Sequence, residues 1–430
     1  MEQSNNRLVV AAEGTHLLRD GEPFVVVADT AWSAFADAGA AEWSGYIRMR
    51  RSQGFNTVLV SVLPILHDRA IREEAREPFR VTSEGHYDFD APDEEYFSTA
   101  RAMATVARAQ GMTLALVVLW CNYVPGTWGA DRTPWAVMSD EQRSSYIAYM
   151  ADVFSEFEPI FVVSGDEHFH DERPTYAYLD ALRRTKAAAP NCLTTLHSTP
   201  NADLPAVLAD APELDFYSYQ AGHDLEKQSL TWELASSYLA KAVRRPVIDF
   251  EPCYEGHGFG TGAGRFRAIN VRNATWWSIA GGASAGIGYG AHGVWQWYRP
   301  GATFTNPGFS LEPFPRVTAE RFSGADDVAF AAQLVRAHRL YETTPRQDLL
   351  VGPEVGFRLA ATDDLGTVLV YLPDAREVRL KADLRNYDIT AWDLDARKPV
   401  SVSLRVEHDE SAIGQVDTLS DVAIIGVRRA

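Results

Sequence analysis

Cysteine is scarce in this chain: Cys121, Cys192 and Cys253 are the only three in 430 residues. That number excludes a disulfide framework, and none of the three has the spacing of a metal-binding pair. Long apolar runs are also missing. No segment approaches the about 20 apolar residues needed to span a membrane. The opening "MEQSNNRLVV" has neither the basic start nor the apolar core of a secretory signal, so a cytoplasmic protein is expected. Positive charge is in deficit: 40 Lys and Arg stand against 58 Asp and Glu, a formal net charge of −18. A surface of that sign repels nucleic acid and anionic membranes and suits neutral or cationic ligands. No Gly-rich phosphate loop follows the first strand-like run, which argues against a dinucleotide-binding open sheet.

Core material is plentiful. Hydrophobic residues make up 46% of the chain and aromatics 11%, enough for the core of one large domain plus a smaller one. From about residue 20, apolar runs alternate with amphipathic stretches. Strands are predicted at 23–29, 56–63, 112–120, 160–167, 192–198, 214–222, 246–252 and 285–297. Helices are predicted at 40–54, 93–111, 139–157, 174–189, 204–210, 231–243, 265–282 and 325–343. Ser139 suits an N-cap, and Gly54 and Gly111 end the first two helices. The strands are continuously apolar, as parallel strands covered on both faces should be. The pattern predicts a (β/α)8 TIM barrel over residues 1–345.

After residue 345 the period falls to two around turns such as "TDDLG", which predicts a small antiparallel β-sandwich domain over residues 346–430. Trp276 and Trp277 are expected to pack on the outside of the barrel, and the second domain to cover an apolar face there.

Active sites of such barrels lie at the carboxyl ends of the strands. In strand order those ends carry Asp29 and Trp32; His67 and Asp68; Trp120, Cys121, Asn122 and Tyr123; then Asp166, Glu167, His168 and His170. The remaining four carry His197; Tyr217, Tyr219, Gln220 and His223; Glu251 and Glu255; and Tyr289, His292, Trp295 and Trp297. Arg69 is the only cation near a strand end, which argues against a phosphate ligand. Aromatic faces beside hydrogen-bonding groups suit a sugar, with its apolar C–H faces and polar edges.

Carboxylates on facing strands suit glycosidic bond cleavage, where a retaining enzyme uses one as nucleophile and one as acid/base. Asp166, on the fourth strand, is expected to be the acid/base and Glu251, in "PVIDFEPCYEG" on the seventh, the nucleophile. Glu167 and Glu255 are the alternatives for these two posts. Expected substrate contacts are Asp29, Trp32, His67, Trp120, Asn122, Glu167, His197, Tyr219, Glu255, His292 and Trp295.

The motifs "GEPFVVVADTAW", "RSQGFNTVLVSV", "VVSGDE", "PVIDFEPCYEG" and "GYGAHGVWQW", in this order, resemble the apiosidase-like glycoside hydrolases, glycoside hydrolase family 140. The resemblance implies a (β/α)8 catalytic domain with a carboxyl-terminal β domain, and a retaining exo-glycosidase typified by release of the branched furanose apiose. It implies the same pair, Asp166 in "SGD" and Glu251 in "EPCYE", with Ser164 where the family has Gly. No cofactor or metal is expected. Two rival readings stand beside it: a metal-dependent barrel hydrolase using His168, His170 and Asp171, and a non-catalytic carbohydrate-binding protein.

Overall fold

The computed structural model describes residues 7–71, 75–260, 263–352, 355–414 and 416–429. Eight parallel strands form its centre: β1 (Val26–Thr30), β2 (Thr57–Ser61), β3 (Thr113–Trp120), β4 (Ile160–Gly165), β5 (Leu193–Thr195), β6 (Tyr217–Gln220), β7 (Val247–Glu251) and β8 (Gly286–Tyr289). The helices after them are α1 (Ala40–Gln53), α2 (Glu94–Ala109), α3 (Asp140–Phe154), α4 (Glu172–Ala188), α5 (Ala206–Ala209), α6 (Leu230–Leu239), α7 (Ala268–Gly281) and α8 (Gly324–Ala337). Each strand pairs with its sequence neighbours except across β5 and β6, and β8 pairs with β1, so the sheet curls into a TIM barrel.

The seam between β5 and β6 has no regular ladder. Asp215 N donates to Thr194 O at 3.0 Å, while Thr195 Oγ1 and Ser218 Oγ donate to Phe216 O and Leu196 O, each at 2.8 Å. Hydroxyls take up carbonyls that a ladder would otherwise satisfy. That substitution is why β5 and β6 are shorter than the predicted 192–198 and 214–222.

Local chemistry accounts for most boundaries. Ser139 caps α3 in a reciprocal box with Gln142, and the Asp93 side chain accepts Tyr96 N at 2.8 Å to start α2. Two expectations shift. The predicted strand 23–29 divides: Glu22–Phe24 joins an antiparallel meander with Leu8–Val10 and Leu17–Arg19, and only Val26 onward enters the barrel. The cause is the two-residue turn Asp20-Gly21, both at positive φ, which folds the chain back before β1. The predicted strand 285–297 stops at Tyr289, and the chain then curls through turns over the barrel mouth.

Antiparallel sheets follow the barrel. A six-stranded sheet runs in the order Thr344–Pro345, Arg358–Ala361, Thr367–Leu372, Val422–Arg428, Tyr387–Asp393, Lys398–Val400. A three-stranded sheet of Val378–Leu380, Glu410–Gly414 and Ser403–Glu407 shares a second core with it, centred on Phe357, Leu372, Leu380, Ile413 and Ile424. The larger sheet lies against α7 and α8. Trp276 is fully buried and stacks on Tyr371 with centroids 6.3 Å apart, and Trp277 Nε1 donates to Gly356 O at 2.7 Å. Arg272 on α7 bridges the two layers, reaching Asp327 on α8 at 3.0 Å and Asp421 at 2.8 Å, with all three side chains almost fully buried. Among the described residues no helix is long and apolar enough to cross a membrane.

Removing one member of a buried ionic cluster strands the charges that remain. Arg272→Ala is therefore expected to lower unfolding stability by about 3–5 kcal/mol, read from urea denaturation.

Candidate active site

One cavity of about 410 Å³ opens at the carboxyl ends of the strands. Of the expected site residues, Trp32, His67, Trp120, Asp166, Glu251 and Trp295 line it. Asp166 reaches it through local backbone geometry. Gly165 ends β4 directly against the Trp120 indole, so a Cβ at that position would overlap the ring. Asp166 follows in the left-handed conformation at φ 54°, a region that Asp tolerates better than most residues, and its side chain leaves the strand alternation for the cavity. Trp128 Nε1 holds the Asp166 carbonyl at 2.6 Å.

Glu251 is aimed by a β-bulge. Tyr219 pairs with Asp249 and Gln220 with Glu251, so β7 carries one extra residue, Phe250. On a regular strand, residues two apart share a face. Here Asp249 meets Ser278 on α7 at 2.9 Å, behind the barrel wall, while Glu251 turns into the mouth. Two imidazoles hold it: His197 Nε2 at 3.1 Å from Oε2 and His223 Nε2 at 3.0 Å from Oε1. His223 Nδ1 accepts Tyr254 N at 3.3 Å, so the ring proton sits on Nε2 and points at the carboxylate.

The two carboxyls ionise differently. Burial raises the Asp166 pKa, the neighbouring Glu251 charge adds to it, and the result is about 7. Burial also opposes ionisation of Glu251, but the hydrogen bonds from His197 and His223 outweigh it and hold the pKa at about 2. His67, 4.0 Å from Asp166, is pushed down to about 4 by burial, which keeps it neutral.

Seven expected substrate contacts are placed otherwise. Asn122, His197 and His292 stand behind the lining. Asn122 Oδ1 bonds His67 Nδ1 at 2.9 Å, His197 bonds Glu251, and His292 Nδ1 accepts Trp295 Nε1 at 3.2 Å. Asp29, Glu167, Tyr219 and Glu255 bond to groups inside the protein instead. Asp29 is fully buried in an ion pair with Arg50 at 2.5 Å and accepts Tyr46 OH at 2.6 Å. Tyr219 OH donates to Thr231 O at 2.6 Å, towards the helix layer. Glu255 accepts Tyr289 OH and the first amide of α8, Gly324 N, both at 2.9 Å. Glu167 folds back to accept Phe169 N at 3.1 Å. Neither alternative carboxylate, Glu167 or Glu255, lines the cavity.

Several lining residues were not among the expected contacts. Asp68, Gln220 and His223 sit at strand ends, which is the signal that marks them; Tyr254 lies three residues past Glu251. Trp128, Arg132 and Phe309 arrive on excursions whose docking no local pattern encodes. Arg132 also corrects the expectation of Arg69 as the one rim cation. Arg69 turns to Glu77 at 3.4 Å, whereas Arg132 stands at the rim with its guanidinium 5.0 Å from the Trp128 ring centre. His168 bonds Thr199 at 2.7 Å and stacks on His170 with centroids 5.3 Å apart. Among the described residues no group of three or more His, Cys, Asp or Glu side chains is arranged to hold a metal ion.

Known proteins agree with this architecture. The sequence matches the family "Apiosidase-like, catalytic domain" over residues 12–342. No curated protein matches it. A solved structure described as a glycoside hydrolase superposes with a TM-score of 0.82 at 19% identity, covering 98% of this chain and 97% of the other. A glycoside hydrolase family 5 protein from Bacteroides vulgatus superposes at 0.80 with 20% identity, covering 98% and 93%. A family 5 mannosidase from Rhizomucor miehei reaches 0.52 at 14% identity over 78% of this chain and 99% of its own. At such identities the likeness is one of fold. The family match, spanning most of the chain and the whole barrel, is more specific: the protein belongs to the apiosidase-like glycoside hydrolases.

Proposed function

We propose that the protein is a retaining exo-glycosidase that releases a terminal sugar, a furanose such as apiose, from a small glycoside or oligosaccharide. The observation that carries this reading is one cavity lined by two carboxyls of opposite ionisation, Asp166 at about 7 and Glu251 at about 2. A double displacement needs one proton donor and one ionised nucleophile present together.

Glu251 attacks the anomeric carbon while Asp166 gives its proton to the departing glycosidic oxygen. The bond to the aglycone breaks and a glycosyl ester forms on Glu251. Esterification removes the charge that helps to raise the Asp166 pKa. Asp166 is then a base: it takes a proton from water, whose oxygen attacks the anomeric carbon and frees Glu251. Two inversions leave the configuration unchanged. The imidazole N–H groups of His197 and His223 keep Glu251 ionised and fix the direction of its oxygens. Trp32, Trp120 and Trp295 offer apolar faces to the sugar ring. Residues 1–345 would carry this chemistry as one domain, with 346–430 as a β domain covering α7 and α8.

Turnover of furanoside and pyranoside nitrophenyl glycosides tests the substrate class, and NMR of the first-formed anomer tests retention. An inverted product, or no hydrolysis across the panel, would sink the reading. Asp166→Asn is expected to lower kcat by about 100- to 10,000-fold, and Glu251→Gln by at least as much, with unfolding midpoints little changed. Glu255→Gln should spare kcat, because that carboxylate serves α8.

The pH profile follows from the two carboxyls. The productive pairing has Asp166 protonated and Glu251 ionised, a state favoured between about 2 and about 7. Accordingly kcat/KM should fall as pH rises through about 7, where Asp166 loses its proton in the free enzyme. A profile that climbs above pH 7 contradicts the assignment.

A further inference from the structure

A third carboxylate enters the cavity, and the double displacement does not use it. Asp68, just beyond β2, lines the same space as Asp166 and Glu251. One of its oxygens, Oδ2, accepts Asn306 Nδ2 at 3.0 Å; the other, Oδ1, has no hydrogen-bond partner among the described residues. Several interior carboxylates away from the cavity draw a cation, a phenol or a helix amide from the fold, which Asp68 does not, although Asp29 Oδ1 and Glu167 Oε2 also lack partners among the described residues. Asp29 has Arg50 and Tyr46, Asp327 has Arg272, and Glu255 has Tyr289 and the head of α8. A desolvated carboxylate left half-satisfied is costly, and such a cost is kept where a ligand completes the shell.

The side chain is also held in place. Strands Ala70–Ile71 and Thr303–Phe304 pair antiparallel, and Thr305 exchanges hydrogen bonds with the Arg69 backbone, N–H to O at 3.1 Å and N to Oγ1 at 3.0 Å. The segment with Asp68 is thereby fastened to the segment with Asn306, which crosses the mouth and adds Phe309 to the lining. Groups fixed before binding lose little entropy on binding. Besides Asp166 Oδ1, two other lining residues have buried polar atoms without partners among the described residues, Trp120 Nε1 and Gln220 Oε1. Acceptor, donor and acceptor around one cavity match a ligand with several hydroxyls, each able to give and receive a hydrogen bond.

We infer that Asp68 binds the substrate by accepting a hydrogen bond from a hydroxyl of the terminal sugar, with Asn306 as the residue that positions it. This deepens the glycosidase reading and rests on it for the identity of the ligand. Burial raises the Asp68 pKa to about 6, so at neutral pH its ionised form makes the stronger, charge-assisted bond.

The test uses binding, which requires no turnover. The probes are a pyrrolidine iminosugar derived from arabinitol and its monodeoxy analogues, titrated calorimetrically at pH 7.5 into the wild-type protein, Asp68→Ala and Asp68→Asn. Asp68→Ala is expected to weaken the parent probe at least about tenfold, as for loss of a hydrogen bond to a charged group. One monodeoxy analogue should bind the wild type correspondingly less well and show no further loss with Asp68→Ala, since each change removes the same bond. Probe charge is common to both arms and cancels. Asp68→Asn, isosteric with the native residue, guards against misfolding and should show the same coupling in part.

Binding of the parent probe to Asp68→Ala within about twofold of wild type overturns the inference. So does an equal loss for every analogue with all deoxy penalties intact, which would make Asp68 only a charge that raises the Asp166 pKa. Failure of the wild type to bind the iminosugar overturns it together with the carbohydrate reading. Intact coupling without hydrolysis of any nitrophenyl glycoside would instead support Asp68 and remove the glycosidase reading alone.

Discussion

The hydrogen bonds from His197 and His223 to the two oxygens of Glu251 are what the rest of the site depends on. Glu251 is buried, and burial alone would neutralise it. Two imidazole N–H groups reverse that, and the surviving negative charge then helps to keep Asp166 protonated nearby. One carboxylate held ionised thus contributes to holding a second one neutral. The arrangement is supported from outside the cavity. Ser164 Oγ, on β4, donates to His197 O and accepts His197 N, each at 2.9 Å, so the strand that delivers Asp166 also clamps the residue that holds Glu251.

The interior carboxylates fall into two groups, and the difference is physical rather than chemical. Asp29, Glu255, Asp327 and Asp421 have partners supplied by the fold: guanidinium groups, a phenol or a helix amide. They stabilise the barrel wall and its contact with the β layer. Asp68, Asp166 and Glu251 share the cavity, where pairing is incomplete or comes from imidazoles. Buried charge in the first group is spent on structure; in the second it remains available to a ligand.

The β layer belongs to the barrel's stability. Trp276 stacked on Tyr371, Trp277 anchored to Gly356, and Arg272 between Asp327 and Asp421 join α7 to the larger sheet by apolar contact and by ion pairs at once. The carboxyl ends of the strands carry the excursions that shape the cavity.

Much of this was legible in the chain. Apolar runs separated by amphipathic stretches sufficed for the barrel, because each strand is covered on both faces and each helix on one. Capping at Ser139 and Asp93 is local chemistry. The Asp20-Gly21 turn was equally local, and it explains why the predicted first strand splits. Strand ends locate the mouth, and Asp166 and Glu251 both stand at such ends.

Direction was another matter. Glu251 and Glu255 lie in one motif, yet only Glu251 faces the cavity: the bulge at Phe250 turns it away from the side that Asp249 takes, while Glu255, beyond the strand, is drawn to Tyr289 and Gly324 N. Asp166 and Glu167 are adjacent, yet a left-handed backbone at Asp166 sends them apart. The sequence by itself determined the architecture and the set of groups gathered at its rim, since periodicity and turn chemistry act over a few residues. Only the tertiary structure decided which carboxyls meet a ligand and which meet Arg50, Tyr289 or α8, because those partners lie 21 to 69 residues away and answer to packing alone.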